Sequence, residues 1–387
     1  MTFASLGLSA DLLRAIGEFS YPAPTPIQEA AIPAILGGRD VWACAQTGSG
    51  KTAAFVLPLL QQTLTRDRDT PRRVRILILV PTRELAAQVG ESIRRYARHL
   101  PRPIKTIIVF GGVSINPQMM ALRGGADTIV ATPGRLLDLV EHSALRLADV
   151  TTLVLDEADR LLDLGFSAEL ASIIEQLPRR RQNLLFSATF PSAVHLLAND
   201  LLRDPLRIDV PSTPVTQPAI LQRAIYVDPA RRTQLLRHLM TEQGWTRVLV
   251  FVATKYSTEH IADKLRRSGI QAAAFHGKLS QGARTKALAD FKVSRIRALI
   301  ATDLAARGID IAQLPVVVNY DLPRSTTDYT HRLGRTGRAG KSGVAVSFVP
   351  TSVEAHFRLI EKRQGMQLVR EVIAGFEPVK AAAVNSD

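Results

Sequence analysis

Gly48, Ser49, Gly50, Lys51 and Thr52 fall within the stretch AQTGSGKT, residues 45–52, which has the Gly-Lys-Thr ending of a phosphate-wrapping loop. The two glycines let backbone N–H groups turn inward as an anion nest, and a helix beginning there adds positive partial charge. Lys51 would then meet the β- and γ-phosphates of a nucleotide, and the Thr52 hydroxyl would face Mg²⁺. Ala45 stands where the general pattern has a further glycine. Glycine is needed only where φ is positive or a Cβ would collide, so alanine there costs little. A second acidic element follows: Leu153-Val154-Leu155 runs into Asp156-Glu157-Ala158-Asp159. Asp156 suits Mg²⁺, through water, and Glu157 suits orienting or deprotonating an attacking water. Either motif alone has a plainer reading, as a surface turn or a solvated acidic helix start. Together they point to a nucleoside triphosphate.

Positioning such groups takes strands that end beside one another. Short apolar runs recur with helical segments between them: residues 40–44, 75–80, 104–110, 151–156 and 183–186, then 247–252, 271–275, 297–301, 316–320 and 343–349. Continuous apolar runs alternating with helices predict parallel sheets covered by helices on both faces, an α/β fold. One intervening segment shows the helical period plainly, with Leu85, Val89, Ile93 and Ala97 on one face and Arg94, Arg95 and Arg98 elsewhere. Between the two series lies RDPLRIDVPSTPVTQP, whose four prolines predict a semi-extended linker. The expected organisation is a domain over 1–207, a linker over 208–218 and a second domain over 219–387. The last helix is expected over 353–364, and the sequence ends too soon after it for a third module.

Composition narrows the partners. The 387 residues carry 49 Lys and Arg against 35 Asp and Glu, a net charge of +14, which favours a polyanion. Aromatics make up only 5%, so base-stacking platforms are not evident. No apolar run approaches the ~20 residues of a membrane span, and the opening MTFASLGLSADLL has no signal-peptide pattern. A single cysteine, Cys44, excludes an intrachain disulfide and a thiolate cluster; it reads as a small core residue in a reducing, cytoplasmic setting. Arg179–Arg181 reads as a solvated loop.

The order and spacing of these motifs resemble the DEAD-box ATP-dependent RNA helicases over nearly the whole chain, in which the phosphate loop also begins with alanine. The resemblance implies two tandem RecA-like domains. YPAPTPIQ, residues 21–28, resembles the adenine-recognition segment: Gln28 would bond the adenine edge, Tyr21 would pack on its ring and Phe3 would support them. Ser20 stands where a glycine often precedes that aromatic. PTRELA (81–86), Gly111-Gly112 and TPGR (132–135) resemble RNA-contacting elements, which implies contacts from Arg83, Gly111, Gly112, Thr132 and Arg135. Such contacts go to phosphate and carry no base sequence. SAT, residues 187–189, resembles the element that couples the acidic segment to domain closure.

In the second half, HRLGRTGR (331–338) resembles the arginine-finger motif, with Arg335 and Arg338 at the γ-phosphate and His331 in the network around the catalytic water. A finger of this kind contributes about 10³ to 10⁵ in rate. ATDLAARGID (301–310) implies an RNA contact at Thr302, an ATP contact at Arg307 and a ribose contact at Asp310. FVATK and HGKLSQGAR imply RNA contacts at Thr254, Gly277 and Arg284, with Lys278 where an acidic or neutral residue is common. The expectation is a monomeric RNA-stimulated ATPase using ATP and Mg²⁺, which binds RNA mainly through its backbone and opens short duplexes or remodels RNA–protein complexes. An ATP-gated RNA clamp with incidental turnover and a DNA translocase are the alternatives. The start MTFASLGLS, the run HRLGRTGRAG and the closing AGFEPV resemble the bacterial RhlE-like branch.

Overall fold

A computed structural model describes residues 2–19, 21, 23–45, 48–64, 71–210, 220–306, 314–337 and 342–378. The chain divides into two compact units, Met1–Thr213 and Pro214–Asp387.

The first unit holds strands β1 Val41–Cys44, β2 Ile76–Leu79, β3 Thr106–Val109, β4 Thr128–Ala131, β5 Thr152–Leu155, β6 Gln182–Ser187 and β7 Leu206–Asp209. They form one parallel sheet in the order β3-β4-β2-β5-β6-β1-β7. Successive residues face opposite sides, so each strand feeds two cores. Ile76, Ile78, Val154, Leu184 and Phe186 join one apolar cluster. Leu77, Leu79, Leu153, Leu155 and Leu185 join the other. Burial on both sides is why these strands read as unbroken apolar runs. The helix Arg83–Tyr96 lays Leu85, Val89 and Ile93 onto the sheet and leaves Arg94 and Arg95 exposed.

The second unit holds β8 Ile220–Tyr226, β9 Val248–Val252, β10 Ala272–Phe275, β11 Ala298–Thr302, β12 Val316–Asn319, β13 Gly343–Val349 and β14 Arg370–Val372, in the order β10-β11-β9-β12-β13-β8-β14. Adding seven to each strand number of the first sheet reproduces this order. The two units therefore share one topology, the tandem RecA-like α/β fold expected from the resemblance, although the sequence shows no short repeat. Val248, Val250 and Val252 line one side and Leu249 and Phe251 the other.

Several elements differ from expectation. β4, β7, β8 and β14 lay outside the predicted runs. The apolar run of β8 is broken by Gln222, which accepts from the Tyr329 hydroxyl at 3.0 Å, and by Arg223, whose Nε donates to both carboxylate oxygens of Glu371 on the short neighbouring strand β14 at 3.0 Å. The residues expected to open the linker, Ile208 and Asp209, instead complete β7 and pair with Ala43 and Cys44 of β1. Asp40 directs that pairing from a buried position, accepting from the Asn183 and Arg203 backbone N–H groups at 2.8 and 2.9 Å. Residues 211–218 of the expected linker lie outside the described residues. Cys44 is half-buried rather than a core residue, and burial pushes its thiol up from its ordinary value. Arg179 and Arg180 are exposed, as a solvated loop requires, whereas Arg181 is half-buried and donates to Asn183 Oδ1 at 2.8 Å and to the Pro178 carbonyl at 2.7 Å.

Candidate active site

Ligands of parallel α/β sheets bind beyond the carboxyl ends of the strands. In the first unit those ends sort the predicted residues into two neighbouring groups. The phosphate loop follows β1, the acidic segment follows β5 and Ser187–Thr189 follows β6. The elements around Arg83, Gly111-Gly112 and Thr132 follow β2, β3 and β4. Since β2 pairs with β5, the groups meet at adjacent strands, about 5 Å apart.

Gly48 and Gly50 hold φ of +87° and +92°. At Gly50 the positive φ demands glycine, and a Cβ there would also displace the Gln28 amide, 2.4 Å away, from the loop. The helix Lys51–Leu64 starts at the loop, and Lys51, only 6% exposed, donates from Nζ to the Ala45 carbonyl at 2.5 Å. The loop is thus closed on its own lysine. The Ser49 hydroxyl is buried with no hydrogen-bond partner among the described residues. Such a group is satisfied by a bound phosphate. Inward-turned glycines, a cation, a hydroxyl at Thr52 and a carboxylate at Asp156 fit a magnesium–nucleotide, because Mg²⁺ takes one or two carboxylates plus phosphate oxygens and water.

Asp156 is 2% exposed, and burial pushes its carboxyl up to about 7; Lys51 pulls it down and Glu157 pushes it up. Glu157 adopts φ 53°, ψ 52°, a left-handed conformation costly for a non-glycine residue. Two contacts hold it there: its N–H donates to Asp156 Oδ1 at 3.0 Å, and Arg160 Nη1 donates to its Oε2 at 3.0 Å within a buried pair. Asp159 accepts from the Thr189 N–H and hydroxyl at 3.0 and 2.9 Å, while Ser187 Oγ accepts from the Asp159 N–H at 3.3 Å. The acidic segment and the Ser-Ala-Thr element are therefore one bonded unit. Neither Arg160 nor Asp159 was assigned a role from sequence, since only the tertiary pairing reveals it.

Gln28 is the third residue of the helix Pro26–Leu36 and belongs to a capping box with Thr25, whose N–H it accepts at 2.9 Å. Its Nε2 donates to the Gly50 carbonyl at 3.2 Å, and Thr25 Oγ1 donates to the Ser49 carbonyl at 2.8 Å. The predicted adenine reader is buried and bonded to the phosphate loop. Tyr21, 42% exposed, stacks on Phe19 at 5.6 Å, lies 6.3 Å from the buried Phe3 ring and shares a 3.2 Å hydrogen bond with Tyr96. Burial, and then that bond, push the Tyr96 phenol far above its ordinary value.

On the other half of the sheet ends, Arg83 lies directly against Gly112: a Cβ there would overlap the guanidinium, and φ is +71°. Arg135 is buried rather than surface-reaching. Its Nη2 donates to the Val113 carbonyl at 2.8 Å and its Nε to Asp138 at 3.2 Å, while Nη1 has no partner among the described residues. Arg135 thus ties the Gly111–Val113 turn to the helix Pro133–Glu141, whose N-cap is Thr132.

In the second unit Thr254, Gly277 and Thr302 stand at or just after the ends of β9, β10 and β11, which neighbour one another as β2, β3 and β4 do. Thr254 caps the helix Lys255–Arg267, accepting from the Ser257 N–H at 3.0 Å. Arg284 is buried with its guanidinium 5.2 Å over Phe275. His331 lies on the helix Thr326–Leu333, and Arg335 follows it, 7% exposed. The side chain that anchors this helix is one that sequence did not single out. Arg332, 2% exposed, donates to Asp303 at 2.6 and 2.7 Å, to Asn319 at 3.0 Å and to the Asp321 carbonyl at 2.7 Å. Arg307, Asp310 and Arg338 lie outside the described residues.

No helix among the described residues is long and apolar enough to cross a membrane. Residues 25–197 match the DEAD/DEAH box helicase family and residues 231–340 the helicase conserved C-terminal domain. The chain is 42% identical over 377 residues to DEAD-box ATP-dependent RNA helicase 28 of Oryza sativa subsp. japonica, covering 96% of this chain but 47% of that relative. It is 42% identical over 384 residues to ATP-dependent rRNA helicase rrp3 of Sclerotinia sclerotiorum, covering 97% and 78% of the two. A structure of S. cerevisiae Dbp5 bound to RNA and ADP BeF3 superposes with a TM-score of 0.83 at 32% identity, over 96% of this chain and 95% of that one. With both halves matched and the phosphate loop and acidic segment in place at the strand ends, the chain belongs to the DEAD-box RNA helicase family.

Proposed function

We propose that this protein is an RNA-stimulated ATPase that separates short RNA duplexes locally or remodels RNA–protein complexes. The observation that carries the reading is the adjacency, within one sheet, of a nucleotide half at β1, β5 and β6 and a phosphate-backbone half at β2, β3 and β4. Support comes from Dbp5, whose structure holds RNA and a nucleotide together.

Lys51 and the loop N–H groups bind the phosphates, Thr52 and Asp156 hold Mg²⁺, and Gln28 and Tyr21 select adenine, with Phe3 behind them. Bound Mg²⁺ would supply charge neutralisation at the β- and γ-phosphates. Glu157 orients the attacking water, and Arg335 and Arg338 stabilise charge on the transferring phosphoryl group, with His331 beside them. Arg307 and Asp310 complete nucleotide contact from the second unit. Arg83, Thr132, Thr254, Gly277, Arg284 and Thr302 hold RNA phosphates, and the buried Arg135 acts by shaping the Gly111–Val113 turn beside them. Each ligand draws on both units, so binding of one raises affinity for the other.

Matched RNA and DNA oligomers test this through steady-state ATPase: RNA should stimulate turnover strongly and DNA weakly. Equal stimulation by both would sink the RNA assignment. Glu157→Gln should abolish turnover while prolonging an ATP-dependent RNA complex; a mutant complex that decays as fast as wild type would remove Glu157 from hydrolysis. In unwinding assays, processive opening of long duplexes would contradict local separation. ATP turnover without opening of even short duplexes would identify a clamp.

A further inference from the structure

The helix Lys255–Arg267 buries Thr258, Ile261, Ala262 and Leu265 against its sheet. On another face stand Tyr256, His260 and Lys264 at i, i+4 and i+8, with Arg267 one turn on, all four exposed. Tyr256 is 75% exposed, although the helix has a complete apolar face of its own. Its ring is nearly parallel to that of His260, with centroids 5.5 Å apart and an interplanar angle of 15°. Two flat rings are thus presented to solvent in one stack, which the low aromatic content of the chain does not foretell.

The charges beside them are uncompensated. Asp263 pairs with Arg266, and Glu259 is held by His276 at 2.8 Å. Lys264 and Arg267 have no carboxylate partner among the described residues. Lys264 lies about 12 Å along the helix from Tyr256 at 1.5 Å per residue. A π-stack followed by free cations matches a polyanion that carries flat bases. Single-stranded nucleic acid is held in that way, by aromatic faces for bases and cations for the backbone.

We infer that Tyr256 and His260 form a stacking platform for a base of single-stranded RNA, with Lys264 and Arg267 holding the adjoining phosphates. The inference rests on the proposed RNA reading, in which Thr254 at the start of this helix contacts the same strand. It adds a base contact to a grip otherwise made of backbone contacts, and it tolerates any sequence because every base has a π-face.

The test uses the full chain, a non-hydrolysable ATP analogue and a single-stranded RNA carrying a fluorescent purine. Tyr256→Ala should weaken RNA binding about tenfold, as loss of one base–aromatic stack does. It should also relieve quenching of the probe and leave RNA-free ATPase and thermal stability unchanged. Tyr256→Phe should behave as wild type. The double variant Lys264→Gln/Arg267→Gln should lower the slope of log affinity against log salt by about 1 to 2. Wild-type affinity in Tyr256→Ala, or a Phe variant as weak as the Ala variant, overturns the platform while leaving the RNA reading intact. A wild-type chain that binds no RNA overturns both.

Discussion

At the scale of single residues, Asp156 couples the candidate metal site to protons. Burial raises its carboxyl from 3.8 to about 7, so between those values the folded chain holds a proton that the unfolded chain has lost. The stability this contributes is complete below about pH 4 and is lost as pH rises through about 7. In ligand-free, metal-free protein, wild type should therefore lose stability relative to Asp156→Asn between about pH 4 and pH 7, by at most about 1.4 kcal/mol per pH unit. Urea titrations at several pH values measure it; parallel pH profiles for the two proteins would show that Asp156 holds no such proton. Lys51→Ala, which removes the only side-chain cation seen on the loop, should abolish ATP turnover in a folded chain. Near-normal turnover would overturn the nucleotide assignment.

At the scale of elements, the helix Thr326–Leu333, which carries His331 and leads to Arg335, owes its position to Arg332, a residue with no proposed catalytic role. Ser325 caps it, accepting from the Asp328 N–H at 3.0 Å, and Arg332 clamps it to Asp303 beyond β11 and to Asn319 in β12. A lysine cannot reproduce a bidentate fork together with two further bonds. Arg332→Lys should lower stability by about 3 kcal/mol, the scale of a broken buried ion pair, and should reduce kcat because His331 and Arg335 ride on the same segment. Calorimetry and steady-state ATPase measure both. An unchanged melting temperature would mean that the clamp does not hold the helix.

At the scale of the whole molecule, one topology occurs twice, but only the first unit carries a phosphate loop and a strand-end acidic pair. The proposed division of labour predicts that the first unit should bind nucleotide alone, whereas turnover should require the arginines of the second. Residues 1–213, expressed separately, should fold and bind a fluorescent ATP analogue, with RNA-stimulated turnover lower by about 10³ or more, the size of an arginine-finger effect. Turnover by this unit alone at the full-length rate would remove Arg335 and Arg338 from the reaction.

The sequence by itself determined whatever is local in the chain. Central strands buried on both sides must be continuously apolar, and phosphate loops need glycine, lysine and threonine at fixed spacing, so the α/β class, the two-unit plan and the positions of Lys51, Thr52, Asp156 and Glu157 were legible. Strands β8 and β14 were not, because β8 meets its neighbour through Arg223 and Glu371 rather than through apolar side chains. Tertiary structure alone decided which of several similar residues is buried and paired. Arg332, Arg135 and Asp159 look no different in the chain from Arg180, Arg94 or Asp263. Their partners lie 22 to 30 residues away at Asp303, Val113 and Thr189, and only the juxtaposition of strand ends in one sheet brings them within hydrogen-bond reach. The Tyr256–His260 stack shows the converse: composition counts aromatic residues, but which side of a helix they occupy is settled by the face the sheet has already taken.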